Sequence, residues 1–107
     1  MKVEVLYVAE CPSHPAAVKL VSDVLDSEGV VAEVREVLVR DESMATDLAF
    51  PGSPTIRING RDVAGEPSQA KAFALSCRLY AGSTEAGLPP IESVRRAVVN
   101  AREGNAF

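Results

Sequence analysis

Residues 2–18 of the chain read KVEVLYVAECPSHPAAV and contain the sharpest structural transition in the sequence. Alternation places Val3, Val5 and Tyr7 on one face of a strand and Leu6 on the other. Both faces are mostly apolar, which is typical of a central strand covered on both sides. Two prolines follow within four residues; proline is excluded from strand interiors but favoured in the first turn of a helix. We therefore predict a strand, a short connection and a helix.

The next segment predicts a parallel strand–helix–strand unit. Residues 16–28 have helical spacing, and Gly29 stands where a left-handed helix cap is expected. Residues 30–39 are rich in Val with charged residues interleaved, which predicts a second strand that is more exposed than the first. Such a unit is right-handed in nearly all proteins. The acidic pair Glu33 and Glu36 is assigned to solvated surface.

A second helix is predicted over residues 41–49. Asp41 is a suitable N-cap, and Met44, Leu48 and Ala45 are spaced to face inward. The prolines and glycine that follow at once end this helix.

An antiparallel hairpin is predicted over residues 55–64. The segment TIRI at 55–58 alternates as a strand, and Asn59-Gly60 is the strongest short hairpin signal. The returning strand is expected at residues 61–64. Beyond it we expect one or two helical turns within residues 69–75, an extended segment at 76–80 and loop at 81–90.

A last helix is predicted over residues 91–102, with Ile91, Val94, Val98 and Ala101 on its apolar face. The predicted order is β-α-β-α-β-β-α, an α/β fold with one four-stranded mixed sheet and helices on both faces. A ferredoxin-like sandwich is the alternative, but it requires a strand as the last element.

Composition limits the functional classes. The chain has 107 residues, 47% of them apolar and 24% charged, which suits one domain over residues 1–102 with a frayed tail at 103–107. Eleven basic and fifteen acidic residues give a net charge of −4, so nucleic acid and anionic membranes are poor partners. No stretch approaches the ~20 apolar residues of a membrane span, and the start lacks a signal-peptide pattern. We expect a cytoplasmic protein.

Cys11 is the first candidate for chemistry. It falls at the carboxyl end of the first strand and the start of the first helix, where open α/β sheets place their sites. Free amides and the positive end of the helix dipole favour the thiolate, which is the nucleophile and the soft-metal ligand. His14 lies one helical turn further on, and could support the thiolate as a cation or act as a general base. Pro12 shapes the turn and is also a candidate substrate contact.

The segment Gly52-Ser53-Pro54-Thr55 is the second candidate. About 5–6% of X–Pro bonds are cis, so composition alone favours trans, whereas the position of Pro54 before a strand favours cis. If that strand runs antiparallel to the first, the loop starts beside Cys11, and Ser53 and Pro54 become candidate substrate contacts.

Cys77 and Arg78 complete the candidate site. The fourth strand runs parallel to the first, so the topology permits Cys77 to reach the edge of the sheet that holds Cys11. Arg78 is a candidate anion contact near the thiolate. One histidine and two distant cysteines make no closed zinc site, and no phosphate loop or dinucleotide motif is present. We predict no cofactor and no resident metal.

Three segments together resemble a known family. They are LYVAECPSHPAA at 6–17, GSPTIRINGRDV at 52–63 and SCRLYAGSTEAGLPP at 76–90. In this order they resemble the thioredoxin fold, and more closely the small thioredoxin-like proteins often labelled alkylmercury lyase, over nearly all of residues 2–100. The resemblance places Cys11 at the first cysteine of a Cys-x-x-Cys motif, His14 where the second would stand, and Pro54 in the cis-proline loop.

The resemblance implies thiol chemistry. Thioredoxin-like enzymes exchange disulfides through the cysteine that Cys11 matches; without a local second cysteine, this chain would act as a monothiol or resolve with Cys77. Organomercurial lyases cleave carbon–mercury bonds with two distant cysteines and an acid, and His14 stands where that acid would be.

Three hypotheses follow for function. The first is a redox protein that exchanges with a thiol or disulfide, in a protein or a small molecule, through Cys11. The second is an organomercurial lyase-like protein or a binder of a soft metal such as mercury that uses both cysteines. The third is a non-catalytic thioredoxin-like interaction module.

Overall fold

A four-stranded mixed sheet carries the helices in this computed structural model, which describes residues 1–9, 11–50, 52–64 and 88–103. The order of elements in these residues confirms the predicted β-α-β-α-β-β-α sequence. The elements are β1 (Lys2–Tyr7), α1 (His14–Glu28), β2 (Glu33–Leu38), α2 (Glu42–Asp47), β3 (Thr55–Ile58), β4 (Arg61–Asp62) and α3 (Ile91–Arg102).

The strands are arranged in the order β2-β1-β3-β4. β1 pairs with β2 in parallel and with β3 in antiparallel register, and β4 returns antiparallel to β3. Leu6 lies opposite Thr55, so the start of β3 lies beside the end of β1. This pairing confirms the predicted direction of β3, and it brings the loop before β3 towards the connection that contains Cys11.

Two apolar clusters lie on opposite faces of the sheet, as expected when a central strand is buried on both sides. Alternate residues of β1 enter different clusters, which confirms its predicted alternation. The larger cluster packs β1 and β3 against α1 and α3, and it includes Val3, Val5, Ile56, Ile58, Ala17, Val21, Val24, Leu25, Val94, Ala97 and Val98. The smaller one lies under α2 and consists of Leu6, Val39, Ala45 and Phe50. The helices therefore cover both faces.

The ends of the elements follow local signals in the sequence. Gly29 ends α1 with φ at 65°, a left-handed conformation that glycine adopts without a Cβ penalty. Asp41 caps α2, because its side chain accepts a hydrogen bond from the Met44 amide at 2.8 Å. Asn59 and Gly60 have φ of 52° and 84°, both positive as a two-residue hairpin turn of type I′ requires.

Some predictions on single residues were wrong. Ile91 is 45% exposed, whereas Ala97 is buried, because at 100° per residue Ile91 lies about 70° from the centre of the buried stripe. Phe50, to which the sequence analysis assigned no place in the core, is fully buried in the smaller cluster. At the sheet edges β4 covers two residues instead of four and β2 begins at Glu33 instead of Val30. Beyond the end of β4, the Val63 amide still donates a hydrogen bond to the Ile56 carbonyl oxygen at 3.0 Å.

The elements predicted between residues 66 and 87 lie outside the described residues, as do residues 104–107 of the predicted tail. Of the helices within the described ranges, none combines the length and the apolar character that a membrane span needs.

Candidate functional site

Cys11 lies in the short connection between β1 and α1. Its amide donates a hydrogen bond to the Val8 carbonyl oxygen, and its own carbonyl accepts one from the His14 amide, each at 3.3 Å. α1 then begins at His14, with Pro15 in its first turn. The Cys11 thiol is free and half-buried. The backbone is thus tied on both sides of a thiol that retains access to solvent.

The loop before β3 is held against the same connection. The Val8 amide donates a hydrogen bond to the Ser53 hydroxyl oxygen at 3.1 Å, and Ser53 is only 1% exposed. The Thr55 hydroxyl donates to the Gly52 carbonyl at 2.6 Å, which closes the loop on itself. Val8 therefore bonds to Ser53 through its amide and to Cys11 through its carbonyl. Val8 therefore links the Cys11 connection and the Ser53 loop, which the sequence analysis identified as two separate candidate sites.

The three described residues predicted to contact substrate lie in different environments. Pro12 is exposed, whereas Ser53 and Pro54 are buried. The Ser53–Pro54 peptide bond, for which sequence gave conflicting indications, is cis.

His14 has a specific side-chain environment. Its imidazole stacks on the Tyr7 ring, with the ring centroids 3.6 Å apart and the planes within 3° of parallel. Its Nε2–H donates a hydrogen bond to Glu36 Oε1 at 2.6 Å. The His14 side chain is 21% exposed and that of Glu36 49%. The imidazole is therefore held both across its face and at its edge.

Tyr7 and Glu36 were not among the predicted site residues. Glu36 is exposed, as its assignment to solvated surface predicted, and its side chain also contacts His14. Parallel register places Glu36 opposite Val5, on the face of the sheet that α1 covers. Glu33 lies on the opposite face and pairs with Arg35 at 2.9 Å. Alternation of β1 and β2 contained this information, since Tyr7, Glu36 and the start of α1 share one face.

Cys77 and Arg78 lie outside the described residues. Across residues 1–9, 11–50, 52–64 and 88–103, no group of three or more His, Cys, Asp or Glu side chains could hold a metal ion.

Comparison with known proteins adds no assignment to this site. No protein family, curated protein or solved structure matches the chain. The chemistry of the site is therefore inferred from the geometry of Cys11, His14 and the loop that contains Ser53.

Proposed function

We propose that the chain has a thioredoxin-like fold and that Cys11 is the nucleophile of thiol–disulfide exchange. The observation that carries this proposal is the pair of hydrogen bonds at Val8, which hold the Ser53 loop and the Cys11 connection side by side. A nucleophile next to a fixed loop has a surface against which a substrate chain can be oriented. The order of the strands, with β1 and β3 adjacent and central, supports the same proposal.

The position of Cys11 suits a reactive thiol. The residue lies three positions before His14, where α1 begins, and the aligned peptide dipoles of this 15-residue helix favour an anion at this end. It is half-buried, with the exposed Pro12 next to it, so a disulfide can approach from solvent. Reactive cysteines occupy such partly exposed and electropositive positions, whereas buried cysteines are usually inert.

The exchange reaction balances with the cysteines of this chain. The Cys11 thiolate attacks one sulfur of the substrate disulfide; a mixed disulfide forms, and the other substrate sulfur leaves as a thiolate. The Cys77 thiolate then attacks Cys11 Sγ and releases the second substrate thiolate. The substrate disulfide gains two electrons, and the protein loses two as a Cys11–Cys77 disulfide forms. A substrate thiol is oxidised by the reverse sequence.

The proposal is tested with the fully reduced chain and an aromatic disulfide that releases a coloured thiolate. We expect rapid release that Cys11→Ser abolishes. Cys77→Ser retains the first step and accumulates an adduct on Cys11. The wild-type product is expected to carry no adduct and to weigh two hydrogens less than the reduced chain, since both cysteines have joined.

Two results would contradict the proposal. One is an unchanged rapid phase in Cys11→Ser. The other is a Cys11 that reacts no faster in the folded chain than in the unfolded one, which would favour a non-catalytic module. Capture of a soft metal would use the same two cysteines, and no contact among the described residues favours it over exchange.

A further inference from the structure

We infer that Glu36 and Tyr7 are positioning residues for His14, and that they orient its imidazole to take and return the proton of the reacting Cys11 thiol. This inference rests on the proposed exchange reaction and adds a role that the position of Cys11 does not itself imply. Its basis is the geometry around His14: a stacked Tyr7 ring and a carboxylate hydrogen bond, supplied by two different strands.

The two contacts restrict different motions of the imidazole. Stacking on Tyr7 fixes the plane of the ring, and the hydrogen bond to Glu36 fixes its rotation within that plane. The ring is mostly shielded from solvent on the face of the sheet that α1 covers. Such preorganisation gives a proton-transferring group a defined direction.

The hydrogen bond to Glu36 also selects the tautomer. A carboxylate only accepts, so Nε2 must carry the proton, and in the neutral ring Nδ1 is then the acceptor. Nδ1 is bonded to Cγ and is therefore the ring nitrogen on the side of the main chain. The main chain of His14 donates its amide hydrogen to the Cys11 carbonyl, so both residues belong to one turn. In the inferred arrangement this acceptor nitrogen is the one that faces the Cys11 thiol across the turn.

The proton step balances within the exchange reaction. The hydrogen of the Cys11 thiol passes to His14 Nδ1 before the attack, so that the thiolate is the nucleophile, and the imidazolium formed is stabilised by the Glu36 carboxylate. The leaving sulfur accepts the electron pair of the broken S–S bond and departs as a thiolate. Nδ1 then gives its proton to a basic alkyl thiolate or, when the leaving group is the weakly basic aromatic thiolate, to water. The ring ends neutral, with its remaining proton still on Nε2.

Whether Glu36→Gln speeds or slows the reaction of Cys11 distinguishes this role from a general effect of charge near the thiolate. Replacing an acidic residue near a thiolate removes a repulsion and should accelerate the reaction of Cys11. If Glu36 acts through His14, Glu36→Gln should instead slow it, because the imidazolium loses its counter-charge. Since Glu36 is half exposed, we expect a two- to fivefold loss, about the size measured for exposed charge pairs.

The test measures the rate of the first exchange step in a Cys77→Ser background, with the aromatic disulfide at a pH below the ~8.5 of a free thiol. Glu36→Gln preserves shape and a hydrogen-bond acceptor, which protects the fold. Glu33→Gln is the matched control, because it removes the same charge from the opposite face of the same strand. We expect only Glu36→Gln to slow the reaction, and a double variant with His14→Gln to show no further loss from the change at position 36.

Nitrogen-15 spectra give a second readout that does not depend on reactivity. His14 is the only histidine in the chain, so its ring signals need no assignment. We expect the proton of the neutral ring on Nε2. A proton on Nδ1 of the neutral ring would overturn this inference but not the proposed function. The same holds if Cys11 remains reactive and Glu36→Gln reacts at a rate equal to or above that of Glu33→Gln. An unreactive Cys11 in every variant would overturn the proposed function, and the inference with it.

Discussion

The hydrogen bond between the Val8 amide and the Ser53 hydroxyl is the contact that holds the two halves of the site together, and Ser53→Ala removes it. Ser53 is 1% exposed and Val8 is half-buried, so water cannot fully replace the lost acceptor. A typical hydrogen bond contributes about 1 kcal/mol net, and a buried donor left without a partner costs about 1–3 kcal/mol. We therefore expect Ser53→Ala to lower the free energy of unfolding by about 1–2 kcal/mol.

Urea denaturation and thermal unfolding measure this loss directly. For a domain of this size, 1 kcal/mol corresponds to about 4–8 °C, so a loss of about 1–2 kcal/mol should lower Tm by roughly 4–16 °C. Ser22→Ala is the matched control: Ser22 lies on the exposed side of α1, where the same change should stay within about 0.5 kcal/mol. Amide hydrogen exchange adds a local readout, because Val8 should lose protection in Ser53→Ala. Equal stability of the two variants, with Val8 still protected, would refute the reasoning.

Three further changes test the fold at sites away from Cys11. Gly29→Ala should cost about 1 kcal/mol in thermal unfolding: a Cβ there meets no atom within 4 Å, so only the φ of 65° opposes it, and a wild-type Tm would contradict this. Asp41→Ala should cost about 1 kcal/mol because the Met44 amide loses its acceptor; Asp41→Ser should restore most of it, and no recovery would argue against capping. Phe50→Ala should cost about 3–5 kcal/mol in urea denaturation, because Phe50 is fully buried, and a loss below 1 kcal/mol would show that it packs little.

The order of the elements could be predicted because its signals are local. Alternation of apolar residues in β1, the glycine at position 29, the cap at Asp41 and the Asn59-Gly60 turn each act within a few residues. The structure confirms all four. The antiparallel pairing of β1 with β3 entered the sequence analysis only as a condition, and the structure shows that the condition is met.

The features that could not be predicted depend on residues distant in sequence. Phe50 follows a helix of six residues and is buried only because α2 packs against the face of β1 that holds Leu6. The hydrogen bond from His14 to Glu36 spans 22 positions and depends on the register of β2 against β1. The contact between Val8 and Ser53 spans 45 positions and depends on the conformation of a loop. Local patterns identify such residues as candidates, but the pairing and register of the strands determine which of them come into contact.

The central claim is that the fold activates Cys11, and its rate of alkylation at about pH 6, in folded and in urea-unfolded protein, tests this most directly. The unfolded chain gives the reference rate, because there Cys11 reacts without the folded arrangement of α1, His14 and the Ser53 loop around it. Mass analysis of the peptide that contains Cys11 separates its labelling from that of Cys77. We predict that folding accelerates the labelling of Cys11 by about fivefold or more, because in the folded chain the thiol lies before the N-terminus of α1 and in one turn with His14. Labelling that is equally fast or slower in the folded protein would contradict the account.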